Sequence, residues 1–386
     1  MKGIRYISAN DHSGYGTAAR RLLHGLRNSA IPFIWTPLAA GGWGLGYEEF
    51  RGKSSGDPIL DAHLGRDLPY DTVFLHFVPE YALFWREKEP DKRLILHTAW
   101  ETDRIPRHWR FLLELADIVV VPSTWNRDVF LDSGLRVPVE TLPHIALPPS
   151  VAHGPLPIAI PDDDFVFLAV DTWTERKGLR EMIQCYLDTF TADDRVNLVI
   201  KTDRRSGIAA WPLFSSTLRE TRSLMRRHRK PARVSLITRS ITNHEMLRLH
   251  DRADCYISLS HGEGWGIGAF DAATRGKPVI STGFGGVMDY LSPEKAFLVR
   301  SRPVPVRNDL GKPSFTHDQL WAEPDTVHAG ELMRHVLDHR QEASSRGLLL
   351  QADILQRFNE KSIVGRFLDI IDPQKSFPRN WEGTSA

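Results

Sequence analysis

The chain has 386 residues, of which 49 are basic and 48 acidic, so its formal net charge is +1. Its length exceeds that of one typical domain and predicts two. The balanced charge disfavours a nucleic-acid-binding protein, because the phosphate backbone selects for a strongly basic surface.

Composition also bears on the cellular compartment. No apolar run approaches the ~20 residues of a membrane-spanning helix, and Met1–Ser8 is typical of a short strand rather than a signal peptide. The only cysteines, Cys185 and Cys255, lie in apolar patterns, which disfavours a disulfide framework or a zinc site. We therefore expect a cytoplasmic protein.

The first half of the chain alternates between strand and helix patterns. It begins with a strand at Ile4–Ala9, a loop over residues 10–16 and helical apolar spacing over Thr17–Asn28. The glycine-rich residues Ala39–Gly46 indicate a mobile loop. Further strands, separated by helical stretches, are predicted at Thr72–Phe77, Arg93–His97 and Ile118–Pro122. This alternation favours a doubly wound parallel sheet.

The alternation restarts after residues 138–161, which contain seven prolines and are the best linker candidate. Strands are predicted at Phe165–Val170, Val196–Ile200, Val234–Thr238, Cys255–Leu259 and Val279–Ser281. Helices are predicted at Gly178–Thr189, Pro212–Arg229, Asn243–Asp251, Ala269–Arg275, Gly330–Asp338 and Ala343–Ile371. Two consecutive α/β halves imply a ligand cleft between them.

The most informative segment is Ser258–Asp271, where an apolar strand gives way to a glycine-rich turn and then a helix. Glu263 lies in the turn and Asp271 eight residues later, in the helix. A helix N-terminus offers unpaired N–H groups and a positive dipole end, which suit a phosphate. The two carboxylates suit sugar hydroxyls. The segment therefore predicts a nucleotide-sugar enzyme.

The same segment resembles the E-x7-E region of retaining glycosyltransferases of family 4. The residues that match that pattern are Glu263, Gly264, Gly266, Ala272, Gly276, Pro278, Val279 and Ile280. Trp265 stands in place of Phe, and Asp271 replaces the second Glu with a side chain one methylene shorter. The resemblance implies that Glu263 is catalytic and that Gly266, Ile267, Gly268 and Asp271 bind the donor.

The resemblance also implies an architecture, the GT-B fold: two Rossmann-like domains facing across a cleft, with the last helix crossing back. We expect an acceptor domain over residues 1–150, completed by a helix at about 366–386, and a donor domain over 151–365. The implied reaction retains the anomeric configuration, with no metal and no cofactor besides the nucleotide-sugar donor.

A second candidate site is Glu175–Gly178, where a strand and turn lead into a helix. A lysine at a helix N-terminus can neutralise a diphosphate leaving group without a metal. The segment resembles the family's R-x4/5-K-G motif, which implies that Lys177 holds the diphosphate and is a charge partner of the acidic motif. The family's Arg is missing, since Asp171 and Thr172 stand there. Arg176 or Lys201 could supply the second cation.

The loop after the first strand carries Gly14 and Gly16. The pattern fails the dinucleotide fingerprint, because Ala19 stands where its last glycine belongs, and this weakens a nicotinamide-dependent oxidoreductase. From the residues alone, a simple tight turn is as good an interpretation as a donor-binding loop. The family resemblance implies that both glycines face the donor.

Residues His97–Asp103 follow a predicted parallel strand, where binding residues accumulate. His97 resembles the family's strand-end histidine, which contacts the donor sugar near the reacting carbon. Glu101 and Asp103 could bind acceptor hydroxyls, and Trp100 or Trp109 could stack on a sugar face.

Two charged runs each allow a structural and a functional interpretation. Asp162–Asp164 could suggest a metal motif, but a solvated turn is favoured because the run directly precedes a strand. The basic run over residues 219–233 favours a solvated helix face, and its alternative is a patch for anionic lipid or a polyanionic glycan. Under that alternative, the protein is located peripherally on the inner face of the membrane.

The sequence therefore predicts a metal-independent, retaining hexosyltransferase that uses a glycan or glycolipid acceptor in cell-surface polysaccharide biosynthesis. Two alternatives stay open. One is a non-catalytic relative that binds a sugar nucleotide or lipid, and the other is a nicotinamide-dependent oxidoreductase.

Overall fold

The structure of the protein is a computed structural model that describes residues 2–41, 46–202, 217–307, 313–372 and 374. The chain forms two compact units. The first comprises the described residues of 1–100, 104–145 and 358–386, and the second comprises residues 101–103 and those of 146–357. The first division therefore falls at residue 145 rather than 150, and the chain returns to the first unit at residue 358 rather than 366.

The first unit is built on a seven-stranded sheet in the order β3-β2-β1-β4-β5-β6-β7. The strands are β1 (Ile4–Ala9), β2 (Phe33–Ala40), β3 (Tyr47–Glu49), β4 (Thr72–His76), β5 (Arg93–His97), β6 (Ile118–Val121) and β7 (Val139–Thr141). The helices between them are α1 (Gly14–Leu26), α2 (Pro58–Asp61), α3 (Ala82–Lys88), α4 (Arg107–Leu113) and α5 (Thr124–Asp132). All strand pairs are parallel except β2 with β3, so the predicted doubly wound sheet is confirmed.

Three of these strands, β2, β3 and β7, were not predicted. β2 contains Pro37, which lacks a backbone N–H and so disfavours a central strand, yet β2 pairs with both β1 and β3. β2 also includes Ala39 and Ala40, which the sequence assigned to a loop; residues 42–45 of that segment lie outside the described residues. β7 falls within the predicted linker and is only three residues long. Short or proline-containing strands give weak periodicity.

The second unit repeats the Rossmann order in a parallel sheet, β10-β9-β8-β11-β12-β13. The strands are β8 (Phe165–Val170), β9 (Val196–Lys201), β10 (Arg233–Ile237), β11 (Cys255–Ser258), β12 (Val279–Thr282) and β13 (Phe297–Val299), and a hairpin pairs β14 (Ser301–Pro305) with β15 (Leu320–Pro324). The helices are α6 (Leu179–Thr189), α7 (Thr217–Met225), α8 (Asn243–Arg252), α9 (Ile267–Thr274), α10 (Thr326–Asp338) and α11 (Arg340–Arg357). Strands β8 to β12 confirm the prediction within two residues, whereas β13 to β15 were missed.

A last helix, α12 (Glu360–Ile371), belongs to the first unit. The sequence predicted one continuous helix over 343–371, but the chain breaks between α11 and α12, where Asn359 caps the amide of Ser362. Phe367 is fully buried and packs edge-on against Phe74 of β4, with ring centroids 5.0 Å apart. The Arg93 guanidinium donates to the carbonyl oxygen of Ile371 over 2.7 Å. The return of the C-terminal helix thus completes the first core.

The basic run at 219–233 does not form one helical face. α7 ends at Met225, so the cations after it do not continue the predicted spacing, and residues 212–216 of the predicted helix lie outside the described ranges. Beyond α7, Lys230 pairs with Asp193 and Arg233 with Asp164. Across the described ranges, no helix offers the long apolar stretch that crossing a bilayer requires.

Candidate active site in the second unit

The candidate site lies where the strand order of the second sheet reverses. β8 and β11 are paired neighbours there, although their successors continue in opposite directions across the sheet. Open α/β sheets bind ligands at this position, beyond the carboxyl ends of the two strands. Asp171 and Lys177 follow β8, and Glu263 follows β11. Lys177 and Glu263, which are 86 positions apart in the chain, therefore contact each other.

Lys177 is the centre of the site. Its Nζ lies 2.7 Å from Asp171 Oδ1 and donates to Glu263 Oε1 over 2.5 Å. The three side chains are largely buried, with 14%, 9% and 15% of their surfaces exposed for Lys177, Asp171 and Glu263. Burial disfavours charge on the ammonium, but Asp171 and Glu263 outweigh it and raise the pKa of Lys177. The lysine is therefore a fixed positive charge.

Arg176 supplies a second cation beside the first. Its guanidinium lies 3.5 Å from Glu263 Oε1 and 3.3 Å from Glu101 Oε1, and it donates to the carbonyl oxygen of Gly262 over 2.6 Å. Of the two cations considered from the sequence, Arg176 thus contacts the acidic motif. Lys201 ends β9 as predicted, and its ammonium donates to the carbonyl oxygen of Thr202.

The two carboxylates around Lys177 differ in their protonation. Burial favours the neutral form of both. For Glu263, Lys177 and then Arg176 overcome this effect and hold the pKa below its usual value. For Asp171 burial dominates and raises the pKa to about 6, although Lys177 opposes it. Glu263 is therefore the permanently charged acid, and Asp171 is the one that can gain a proton.

A tight backbone arrangement positions these side chains. Residues Glu175–Lys177 form one 3-10 turn, and Gly178 then adopts a left-handed conformation with φ of 58° before α6 begins. A Cβ at Gly178 would overlap the carbonyl oxygen of Leu259. The carbonyl oxygen of Arg176 accepts from the amide of His261 over 2.7 Å and from the Ser260 hydroxyl. The turns after β8 and β11 are thus bonded to each other.

The glycine-rich turn leads into α9 as expected, with Gly266 as its N-cap in a left-handed conformation. Gly266 has no side chain to cap the first amides of α9, so Ile267 and Gly268 lie at a helix N-terminus suited to an anion. Gly268 also has a packing role, because a Cβ there would overlap the hydroxyl of Tyr256.

Asp271 lies in α9 and is half-buried. Sequence reasoning missed Tyr290, which lies beside both acids of the motif. Its hydroxyl donates to the carbonyl oxygens of Trp265 and Gly266, each over 3.0 Å. Burial raises the pKa of Tyr290, and Glu263 and Asp271 raise it further. No sequence signal marked this tyrosine, since it lies 27 residues after Glu263 in an ordinary apolar turn.

The predicted residues of the first unit lie mainly in its interior. Gly14 and Gly16 lie in the first turn of α1 rather than in a loop, and Ser13 caps the amide of Gly16. His97 ends β5 as predicted, but only 4% of its surface is exposed, and burial lowers its pKa to about 3. Among the residues that the structure describes, its Nδ1 has no hydrogen-bond partner.

The predicted acceptor residues have structural contacts. Trp100 is buried against Trp109, and its indole N–H donates to the carbonyl oxygen of Arg104 over 2.7 Å, so it is not open to a sugar face. Asp103 exchanges two hydrogen bonds with the backbone of Leu320. Glu101, paired with Arg176, is the one that lies in the charged site.

The run Asp162–Asp164 is not a uniformly solvated turn. Asp163 is exposed and pairs with Arg195, whereas Asp164 is buried and pairs with Arg233. Within the described ranges, no group of three or more His, Cys, Asp or Glu side chains could hold a metal ion.

The segment that holds this site is similar to a known family. Residues 157–303 match the family model of glycosyl transferases group 1. The matched range lies within the second unit and contains Asp171, Lys177 and Glu263. The match favours a glycosyl transferase over a nicotinamide-dependent oxidoreductase. A comparison with curated protein sequences gave no match.

Solved structures of glycosyl transferases share the fold. Sucrose-phosphate synthase from Thermosynechococcus elongatus aligns with a TM-score of 0.68 at 15% identity, over 96% of this chain and 98% of that one. HepE of Anabaena, in complex with UDP-glucose, gives 0.66 at 13% identity, over 96% and 99%. The α,α-trehalose 6-phosphate synthase of Burkholderia multivorans gives 0.60 at 12% identity, over 95% and 97%. This likeness confirms the GT-B fold expected from the sequence.

Proposed function

We propose that the protein transfers a hexose from a nucleotide-diphosphate sugar to a glycan or glycolipid, with retention of anomeric configuration and without a metal. The observation that carries this proposal is the buried ammonium of Lys177, bonded to Glu263 at the point where the strand order reverses. A buried cation beside an uncapped helix N-terminus suits a diphosphate.

In this proposal the diphosphate binds Lys177, Arg176 and the amides of Ile267 and Gly268. Glu263 accepts a hydrogen bond from a hexose hydroxyl, and Asp271 accepts from the ribose. The bond between the anomeric carbon and the diphosphate breaks as the bond to the acceptor oxygen forms. The proton of the acceptor hydroxyl moves to the departing diphosphate, so no protein nucleophile is required.

The donor base and sugar are open, and UDP-glucose is the first donor to test, since it is bound in one structure with the same fold. The roles of Gly14, Gly16 and His97 toward the donor, and of Glu101 toward the acceptor, stay predictions. Cell-surface polysaccharide biosynthesis is proposed from the family resemblance alone.

The cytoplasm is the proposed compartment, supported by the two buried, unpaired cysteines. Peripheral contact with an anionic membrane through residues 219–233 stays a prediction, and a vesicle-binding assay with and without anionic lipid tests it.

The proposed function is tested in two steps. UDP-, GDP-, ADP- and TDP-sugars are first screened for a rise in melting temperature, because a ligand that binds only the native state stabilises it. Release of the nucleotide diphosphate is then measured with the best donor, with and without EDTA, and the anomeric configuration of the product is read by NMR. A metal requirement or an inverted product would contradict that part of the proposal.

A pair of variants tests whether donor turnover depends on the site around Lys177. Lys177→Ala is expected to lower donor turnover at least 100-fold, since it removes a preorganised charge at the leaving group. Lys295→Ala, which removes an ammonium paired with Asp353 in the same unit, is the matched control and is expected to leave turnover unchanged. Donor binding without any turnover would favour the non-catalytic alternative.

A further inference from the structure

Asp171 and Thr172 occupy the candidate positions of the resembling family's arginine, and Asp171 contacts the lysine proposed to bind the diphosphate. It follows β8 directly, and its Oδ1 lies 2.7 Å from Lys177 Nζ. In the free protein one of the three donor positions of that ammonium is therefore directed at a carboxylate other than Glu263. A diphosphate that binds Lys177 competes with Asp171.

The charges around Asp171 oppose binding of the diphosphate while that carboxylate stays ionised. The charged site consists of Asp171, Glu263, Glu101, Arg176 and Lys177, so three carboxylates face two cations. With every group ionised, its net charge is −1. A diphosphate adds about two further negative charges to a largely buried site, where like charges repel strongly.

The groups that face Asp171 come from three elements. The turn after β8 contributes Lys177 and Arg176, and the turn after β11 contributes Glu263. β11 itself contributes Tyr256, whose pKa is raised by burial and then by Asp171. On the β9 side, the amide of Asp171 donates to the carbonyl oxygen of Lys201. Both cations hold the pKa of Glu263 low, whereas burial favours the neutral form of Asp171.

We propose that Asp171 positions Lys177 in the free protein and takes up one proton when the donor binds. This inference rests on the proposed function, because it concerns the same donor site. The diphosphate takes over the ammonium of Lys177, and the released carboxylate forms an O–H bond with a proton drawn from the buffer. The charge of the site rises by one as the anion enters.

The protonation of Asp171 in the free protein supports this sequence. Burial already raises the pKa of Asp171 to about 6, while Lys177 lowers it. Loss of Lys177 to the diphosphate removes the main group that keeps Asp171 charged, so its pKa rises further in the complex. Between the free and bound pKa values, donor affinity weakens as pH increases, by up to tenfold per pH unit.

Isothermal titration calorimetry with UDP-glucose at pH 7.5 tests the proposal, using Tris and HEPES as buffers that differ in ionisation enthalpy. UDP-glucose is chosen because its diphosphate does not titrate near neutral pH. The observed enthalpy is expected to depend on the buffer with a slope close to one proton taken up. The Kd is expected to rise severalfold from pH 7 to pH 8.

Two variants test whether the proton uptake depends on Asp171. Asp171→Asn keeps the shape but cannot take up the proton, so its slope is expected to be near zero and its Kd to change less than twofold over the same pH range. Asp193→Asn, an exposed acid of the same unit, is expected to retain the wild-type slope. Circular dichroism and the melting temperature establish that both variants are folded.

The outcomes are distinguishable. Binding of UDP-glucose with no buffer dependence, or with the same slope in Asp171→Asn, would overturn the role of Asp171 and leave the proposed function intact. Absence of binding by every nucleotide sugar would refute the proposed function itself.

Discussion

The imidazole rings of His76 and His97 are stacked with centroids 3.9 Å apart, at the ends of the adjacent strands β4 and β5. His144 lines the same small cavity in the first unit. Burial is the main reason that the pKa of each of the three lies below its usual value, and for His97 it falls to about 3. The folded first unit therefore contains a group of neutral histidines.

This group predicts sensitivity to acid. The unfolded chain binds protons at these histidines below about pH 6.5, whereas the folded chain does not, so stability decreases as pH falls from about 6.5 toward 3. Each histidine contributes a slope of up to about 1.4 kcal/mol per pH unit. Urea unfolding at pH 7.5, 6 and 5 measures the effect. His97→Gln is expected to reduce the slope and the exposed His153→Gln to leave it unchanged, and equal slopes in both would contradict the prediction.

Glu263→Gln is expected to lower kcat/KM for donor turnover at least 100-fold, because the remaining amide carries no charge to hold Lys177 or to accept strongly from a sugar hydroxyl. The fold should persist, since the backbone oxygen of Glu263, not its side chain, accepts from the amide of Gly286. Nucleotide release is the measurement. The matched control is Glu323→Gln, which alters an exposed pair with Arg307 in the same unit. Near wild-type turnover in Glu263→Gln would place the active site elsewhere.

Gly178→Ala is expected to destabilise the second unit by about 1–3 kcal/mol or more, since its left-handed φ disfavours any side chain. The added methyl group would also overlap the carbonyl oxygen of Leu259. Gly365→Ala is the control, because that glycine lies within α12 with open space around it. There alanine should stabilise by about 0.5–1 kcal/mol. Thermal unfolding compares the two, and equal melting temperatures would show that the turn after β8 tolerates other conformations.

Phe367→Ala is expected to cost about 3–5 kcal/mol, because it leaves a cavity where the ring packs against Phe74. The loss should appear in the unfolding transition of the first unit, with that of the second unit unchanged. Lys361→Ala, on the exposed side of α12, should stay within about 0.5 kcal/mol of wild type. A small effect of Phe367→Ala would mean that α12 contributes little to the first core.

Much of the second unit could be predicted because its strands are apolar runs bounded by turn residues. Lys177 and Glu263 were each found from a local motif, and their contact follows from the pairing of β8 with β11. From the sequence, Asp171 is only one of two residues, with Thr172, at the candidate positions of a missing arginine. Its partnership with Lys177 depends on the 3-10 turn at Glu175–Lys177, for which the sequence offered no signal.

Two predicted acceptor residues show what the sequence could not predict. Trp100 and Asp103 carry side chains typical of sugar binding, but the packing against Trp109 and the bonds to Leu320 involve residues distant in sequence. A side chain that looks available in a polar segment can be committed to the core or to a backbone partner. Burial of Trp100 and hydrogen bonding of Asp103 to Leu320, both of which depend on contacts distant in sequence, explain the two cases.

The return of the chain at residue 358 has a consequence for biosynthesis. The second unit is continuous from residue 146 to 357, so the ribosome delivers it whole before α12 emerges. The first unit, although translated earlier, lacks the helix that carries Phe367 until the second unit has been translated. Vectorial folding usually proceeds from the N-terminal domain, but here the second unit is available to fold while the face around Phe74 still lacks its partner ring.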